Sequence, residues 1–141
     1  MFSEEEMDDI RSAISWAELD SSGQIRVHIE DHCQGDPRLR AREVFVKLGM
    51  SDTELRNAVL FYVAIDNRKF AIISDTGINE KTGPGFWDEV KQVMLNHFRE
   101  ARFADGLYEA ITITGEQLKK HFPHQKYSRN ELPDELTFGT L

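Results

Sequence analysis

Four oxygen-bearing side chains stand where segments of regular structure begin or end, and together they have the chemistry to hold a hard cation. Glu18 closes a helical pattern, Asn57 opens an apolar run, Asp75 follows a second apolar run, and Asp88 falls at the start of a later helical pattern. Ca²⁺ and Mg²⁺ take oxygen ligands from carboxylates, amide and backbone carbonyls and water, so a mixed set of Glu, Asn and Asp suits either ion. Each residue alone has a plainer role. Asp75 would be an Asx-turn residue before Thr76-Gly77, Asp88 a first-turn helix acid, and Glu18 a surface charge. Convergence on one edge is what would turn them into a metal site.

The elements that must position them can be read from periodicity. Ser3-Glu-Glu-Glu6 has the form of a capping box, and Ile10, Ala13, Ile14 and Ala17 follow at helical spacing, so a first helix is expected over residues 3–19. Ile25, Val27 and Ile29 alternate with Arg26, His28 and Glu30, the pattern of a half-buried strand. Asp36-Pro37 is an N-cap and N1 pair for a second helix that buries Ala41, Val44, Phe45 and Leu48 and stops at Gly49. A polar loop over residues 51–56 leads to residues 59–65, apolar at every position, as in a strand covered on both faces. Asp66-Asn67 can take the positive-φ positions of a tight turn, so residues 70–73 return as a hairpin partner. If those strands are antiparallel neighbours, Asn57 and Asp75 share a sheet edge that Glu18 and Asp88 can reach from helix ends. The exit at Ser74-Asp75-Thr76-Gly77 is taken as the ligand edge of the sheet.

Lys81-Thr-Gly-Pro-Gly85 opens a third helix with Phe86, Val90, Val93, Met94, His97 and Phe98 on one face. Asp105-Gly106 separates it from a fourth carrying Leu107, Ala110, Ile111, Thr114 and Leu118. Periodicity then ends. Residues 1–122 are read as one domain and residues 123–141 as an extended tail docked on it, with Asn130-Glu-Leu-Pro-Asp134-Glu135 at its centre. Helices distributed among strands give the α/β class: a three-layer α/β/α sandwich around a small mixed β-sheet.

Composition removes several functions. The 141 residues carry a net charge of −8, which argues against nucleic acid as a partner, because phosphate neutralisation needs clustered Lys and Arg. The acids 4, 5, 6, 8 and 9 serve mainly to start a helix. Cys33 is the lone cysteine, so no intrachain disulfide forms, and it lacks the His and Asn context of a nucleophile. His28 and His32 fall on a strand, where a four-residue spacing does not bring two imidazoles to one metal; His121 and His124 read as surface residues. There is no phosphate-binding P-loop, dinucleotide fingerprint or nucleophile elbow. No apolar run approaches about 18 residues. Read as a complete product, the chain is expected to be a cytoplasmic monomer without membrane contact.

The motifs resemble a known family. Ile14-x-x-Ala17-Glu18-x-x-Ser-Ser-Gly23-x-Ile25-x-Val27, Phe45-x-Lys-Leu48-Gly49-Met50, Arg56-Asn57-x-Val59-Leu60-x-Tyr-Val-Ala64, Arg68-Lys69-x-x-Ile72 and Asp75-x-Gly77-Ile78 are similar to the TPM domain, and the ending Asn130 to Glu135 to its short, stand-alone bacterial branch. The resemblance implies an α/β/α sandwich with a divalent-cation site at one sheet edge. Some plant members are described as acid phosphatases of the thylakoid lumen linked to photosystem II repair, and others are membrane-anchored accessory proteins without an established reaction. By position, the family's acidic and amide site residues fall on Glu18, Asn57, Asp75 and Asp88. The chain departs from the family where Asp75-Thr76-Gly77-Ile78-Asn79 replaces a Gly-x-Gly-Leu-Glu run, losing one acid and gaining another.

Two functions from different classes follow. The first is a non-catalytic module binding Ca²⁺ or Mg²⁺. The second is a metal-dependent phosphatase of phosphomonoesters, with Asp75 or Asp88 as ligand or general base. Arg56 and Arg68 are the nearest candidates to clamp phosphate, but Arg68 belongs to the hairpin turn at the opposite end of the strands from Asp75. A third reading is a protein-interaction domain with no metal, its partner unspecified.

Overall fold

The computed structural model describes residues 2–19, 21–123 and 136–139. In chain order the elements are α1 (Glu4–Glu18), β1 (Gln24–Glu30), α2 (Pro37–Lys47), β2 (Ala58–Ala64), β3 (Lys69–Ser74), α3 (Thr76–Thr82), α4 (Phe86–Phe98), α5 (Phe103–His121) and β4 (Leu136–Phe138). The strands form one mixed sheet of order β3-β2-β1-β4. β1 runs parallel to β2 and β4, with Ile25 opposite Val59 and Val27 opposite Leu136. β3 is antiparallel to β2, with Ser74 opposite Val59.

Alternation on the strands divides the core in two. Ile25, Val27, Ile29, Val59, Phe61 and Val63 point to the face covered by α1, α4 and α5, where Ile10, Ile14, Met94, Leu107 and Ile111 meet them. Ala58, Leu60, Tyr62 and Ala64 point to the other face, packed by Ala41, Val44 and Phe45 of α2 with Met50. This is the expected three-layer α/β/α sandwich. No described helix is long and apolar enough to cross a membrane.

The signals at α1 and α2 act as read. Ser3 Oγ accepts from the Glu6 N–H while Glu6 Oε1 accepts from the Ser3 N–H, the reciprocal capping box. Asp36 caps α2 with Pro37 in its first turn.

Other expectations are corrected. β1 is buried at all seven positions rather than on one face. In the hairpin the Arg68 N–H donates to Ile65 O at 3.1 Å, and it is Arg68, not Asp66 or Asn67, that takes positive φ, at 51°. Asn67 instead accepts the Cys33 N–H through Oδ1 at 2.6 Å, tying the turn to the loop after β1.

The expected exit loop after Asp75 is the helix α3, with Asp75 as its N-cap. α4 ends at Phe98, and Ala101 takes positive φ at 58°. α5 has already begun at Phe103, so Asp105-Gly106 lies inside it. Gly106 is small because α5 crosses α4 there; a Cβ would stand 3.1 Å from the His97 Cβ. Residues 136–138 form β4 at the edge of the sheet beside β1. The motif at residues 130–135 lies outside the described residues.

Candidate functional site

Three of the four candidate residues meet at one edge of the sheet. Asn57 precedes β2, and its backbone O accepts from the Gln24 N–H at 3.3 Å. Asp75 follows β3, and its N–H donates to Ala58 O at 3.0 Å. Glu18, ending α1, accepts from the Ile25 N–H at 2.7 Å and from Arg26 Nη1 at 2.9 Å. Antiparallel pairing of β2 with β3 therefore joins Asn57 and Asp75, as expected, and α1 delivers Glu18 to the start of the neighbouring strand. Asp88 lies exposed in the first turn of α4.

The edge is electrostatically occupied. The Arg56 fork holds Asp75 through both oxygens, Nε to Oδ2 at 2.7 Å and Nη2 to Oδ1 at 2.8 Å. Oδ1 also accepts the Thr76 N–H at 2.7 Å, as an N-cap does. The hydrogen bonds Arg56 donates to Asp75, and the charge of that carboxylate, raise the Arg56 guanidinium pKa. Arg56 itself is half in water while Asp75 is 5% exposed, so the pair is anchored on one side only.

Asn57 is less fully satisfied. It is 1% exposed, its Nδ2 donates to Ser22 Oγ at 3.3 Å, and its buried Oδ1 has no hydrogen-bond partner among the described residues. A buried acceptor left alone costs about 1–3 kcal/mol and marks a place for an ion or ligand. Its chemistry fits a hard cation. Against this, no three His, Cys, Asp or Glu side chains among the described residues gather into a group able to hold a metal, so Glu18, Asp75 and Asp88 do not form a three-carboxylate set.

The sequence reading missed a second polar assembly. Arg26, His28 and Glu30 share the α2-side face of β1, and all are buried. His28 stacks on Tyr62, ring centroids 6.2 Å apart. Its Nε2 lies 2.7 Å from Gly139 O, an acceptor only, so Nε2 carries the proton and Nδ1 accepts from Thr137 Oγ at 2.7 Å. Burial lowers the His28 pKa more than the Gly139 carbonyl and Glu30 raise it.

Burial alone would raise Glu30, but hydrogen bonds from Arg40 and Tyr62, with the charge of Arg40, hold it below the ordinary carboxylate range. Burial, and then the Glu30 carboxylate, push the Tyr62 phenol up. This network ends at a cleft of about 620 Å³ lined by residues including Glu30, Asp31, Asp36, Arg40, Glu43 and Gly139.

The cleft opens at the carboxyl ends of β1 and β4, where the strand order reverses, the usual ligand position in an open α/β sheet. The edge with Asn57 and Asp75 is instead the amino end of the parallel strands. One signal was available in the sequence: a strand with three polar residues on one face, next to an all-apolar strand, needs partners for all three if that face is covered.

Comparisons with known proteins agree with the fold. A family model for the TPM domain matches residues 1–117. The solution structure of BA42 protein from the psychrophilic bacterium Bizionia argentinensis is 38% identical, with a TM-score of 0.90 over 99% of this chain and 96% of that one. The N-terminal domain of cg2496 from Corynebacterium glutamicum is 15% identical, with a TM-score of 0.68 over 84% of this chain and 74% of that one, a likeness of fold alone. The same holds for an N-terminal domain from P. gingivalis, 17% identical with a TM-score of 0.71 over 88% and 82%. No curated protein matches. The chain belongs to the TPM domain family.

Proposed function

We propose that this TPM domain is a divalent-cation-binding module without a catalytic step, its cation taken at the amino edge of the sheet. The observation that carries the reading is the buried Asn57 Oδ1, unpartnered among the described residues, at the sheet edge that Asp75 reaches from β3 and Glu18 from the end of α1. Asn57 supplies the neutral oxygen. Asp75 supplies charge once Arg56, anchored on its protein side only, swings into water and cedes the carboxylate. Glu18 completes the set from the end of α1. Asp88, exposed on α4, joins only through water. Few charged ligands and an arginine to displace place the affinity toward the weak end of the calcium range, with Ca²⁺ tolerating this irregular shell better than Mg²⁺.

The test is an amide-shift titration of the chelator-stripped protein with Ca²⁺ and Mg²⁺. Saturable shifts at Glu18, Arg56, Asn57 and Asp75 that disappear in Asp75→Asn are expected. No shift on a folded protein, or shifts indifferent to Asp75→Asn, would end the reading.

The phosphatase reading gains one observation, Arg56, which stands at the same edge as Asp75. Its fork is filled by that carboxylate, so it clamps no phosphate without giving up the pair. Phosphomonoester turnover that falls in both Arg56→Gln and Asp75→Asn would favour phosphatase chemistry; turnover untouched by either would come from a contaminant.

A further inference from the structure

We propose that the open edge of β3 is a docking groove for an extended acidic peptide, which adds to the sheet as a fifth strand. The surface is independent of the cation edge. Among the described residues β3 pairs with β2 on one side only, so along its six residues, about 20 Å, the backbone groups on the other side face outward.

A groove of about 380 Å³ runs along that edge. Its floor is residues 68–72, one wall is Pro37 and Arg38 of α2, and the other is Lys91 and Leu95 of α4. The walls come from the two helix layers on opposite faces of the sheet, so the space between them follows the plane of the sheet, where an added strand would lie.

The charge of this groove is opposite to that of the protein. Arg38, Arg68, Lys69 and Lys91 line it and, among the described residues, no acid does, in a chain whose net charge is −8. The Lys69 ammonium is held on Cys33 O at 3.3 Å and Gly35 O at 2.9 Å. Arg38, Arg68 and Lys91 are in no ion pair among the described residues.

Half-buried Phe70 and Ile72 and exposed Leu95 add apolar contact. The matching ligand alternates acidic and aliphatic side chains and gains main-chain hydrogen bonds from the strand edge, as in β-strand addition generally. A second copy of this chain does not fit, because pairing β3 with β3 would set the two basic grooves against each other.

The probe is an acetylated hexapeptide alternating glutamate and valine, titrated into labelled protein and followed by amide shifts and hydrogen exchange. Saturable binding that slows exchange of outward amides within residues 69–74 is expected. Lysine-valine peptide and inorganic phosphate should have no such effect. Affinity should drop at least about tenfold in Arg38→Glu/Lys91→Glu, both exposed and checked for folding by circular dichroism, and should weaken as salt rises. Equal response to phosphate, or binding without protection of β3 amides, would reduce the groove to a small-anion site and overturn strand addition. No saturable change would overturn it too, leaving the cations as guards against edge-to-edge pairing.

Discussion

Gly77→Ala sets two opposed effects against each other, and their sizes decide the outcome. Gly77 is in the first turn of α3, where alanine is the better helix former by about 1 kcal/mol. A Cβ built there would stand 2.1 Å from Leu55 O and 2.6 Å from Arg56 O. Both atoms are backbone, so no rotamer relieves the clash; α3 or the segment before Asn57 must move. Overpacking costs about 1–3 kcal/mol, and a backbone obstacle puts this site at about 3. Moving α3 also weakens the Asp75 cap, about 1 kcal/mol more.

Subtracting the propensity gain leaves a loss of about 3 kcal/mol, or about 12 °C in melting temperature for a chain this long. Urea unfolding and a thermal melt measure it. Gly83→Ala is the control: φ is +77° and nothing lies within 4 Å of its Cβ, so only backbone strain of about 1 kcal/mol applies. Gly77→Ala as stable as the parent, or less damaging than Gly83→Ala, would refute the close approach as the reason for glycine here.

Arg56→Gln should tighten Ca²⁺ binding several-fold by removing the competitor for Asp75, read from the same amide titration; unchanged or weaker binding would show that the arginine does not compete. Tyr62→Phe removes a donor to buried Glu30 and should cost about 1–3 kcal/mol in urea unfolding, with the Glu30 carboxyl titrating higher by carbon-detected NMR.

Acid should destabilise the fold in two overlapping stages. His28 has a folded pKa lowered from 6.5, so the unfolded chain takes up its proton first, and stability falls as pH drops below about 6.5. Glu30 is lowered from 4.5, so its contribution is present above that value and is lost as pH falls further. His28→Gln, followed by urea unfolding across pH, should abolish the first stage and leave the second.

Legibility in the sequence followed the range of the interaction. α1 and α2 are set by caps within four residues of their starts, and β2 by a seven-residue apolar block, so those elements, the sandwich and the meeting of Asn57 with Asp75 could be read. α3 could not, because seven residues span barely two turns and Gly77 imitates a turn while serving a close contact. Gly106 misled in the same way, standing at a helix crossing rather than a break. β4 has three residues and takes its partner from the far end of the chain. The Arg56–Asp75 pair spans 19 residues, and Arg56 makes it from a positive φ, at 52°, which has no sequence signature.

The pairing of β4 with β1 also governs the order in which the molecule can be completed. His28 finds Thr137 across 109 positions of chain. At roughly 5–20 residues per second of synthesis, several seconds or more separate the emergence of these two partners. Throughout that interval the outer edge of β1 is unsealed and the His28 imidazole lacks both of its final partners. Residues 136–138 therefore close a strand made more than a hundred positions earlier. A nascent chain stalled before residue 136 would be a species with an adhesive edge, and damage confined to residues 136–138 would be felt at β1, inside the sheet.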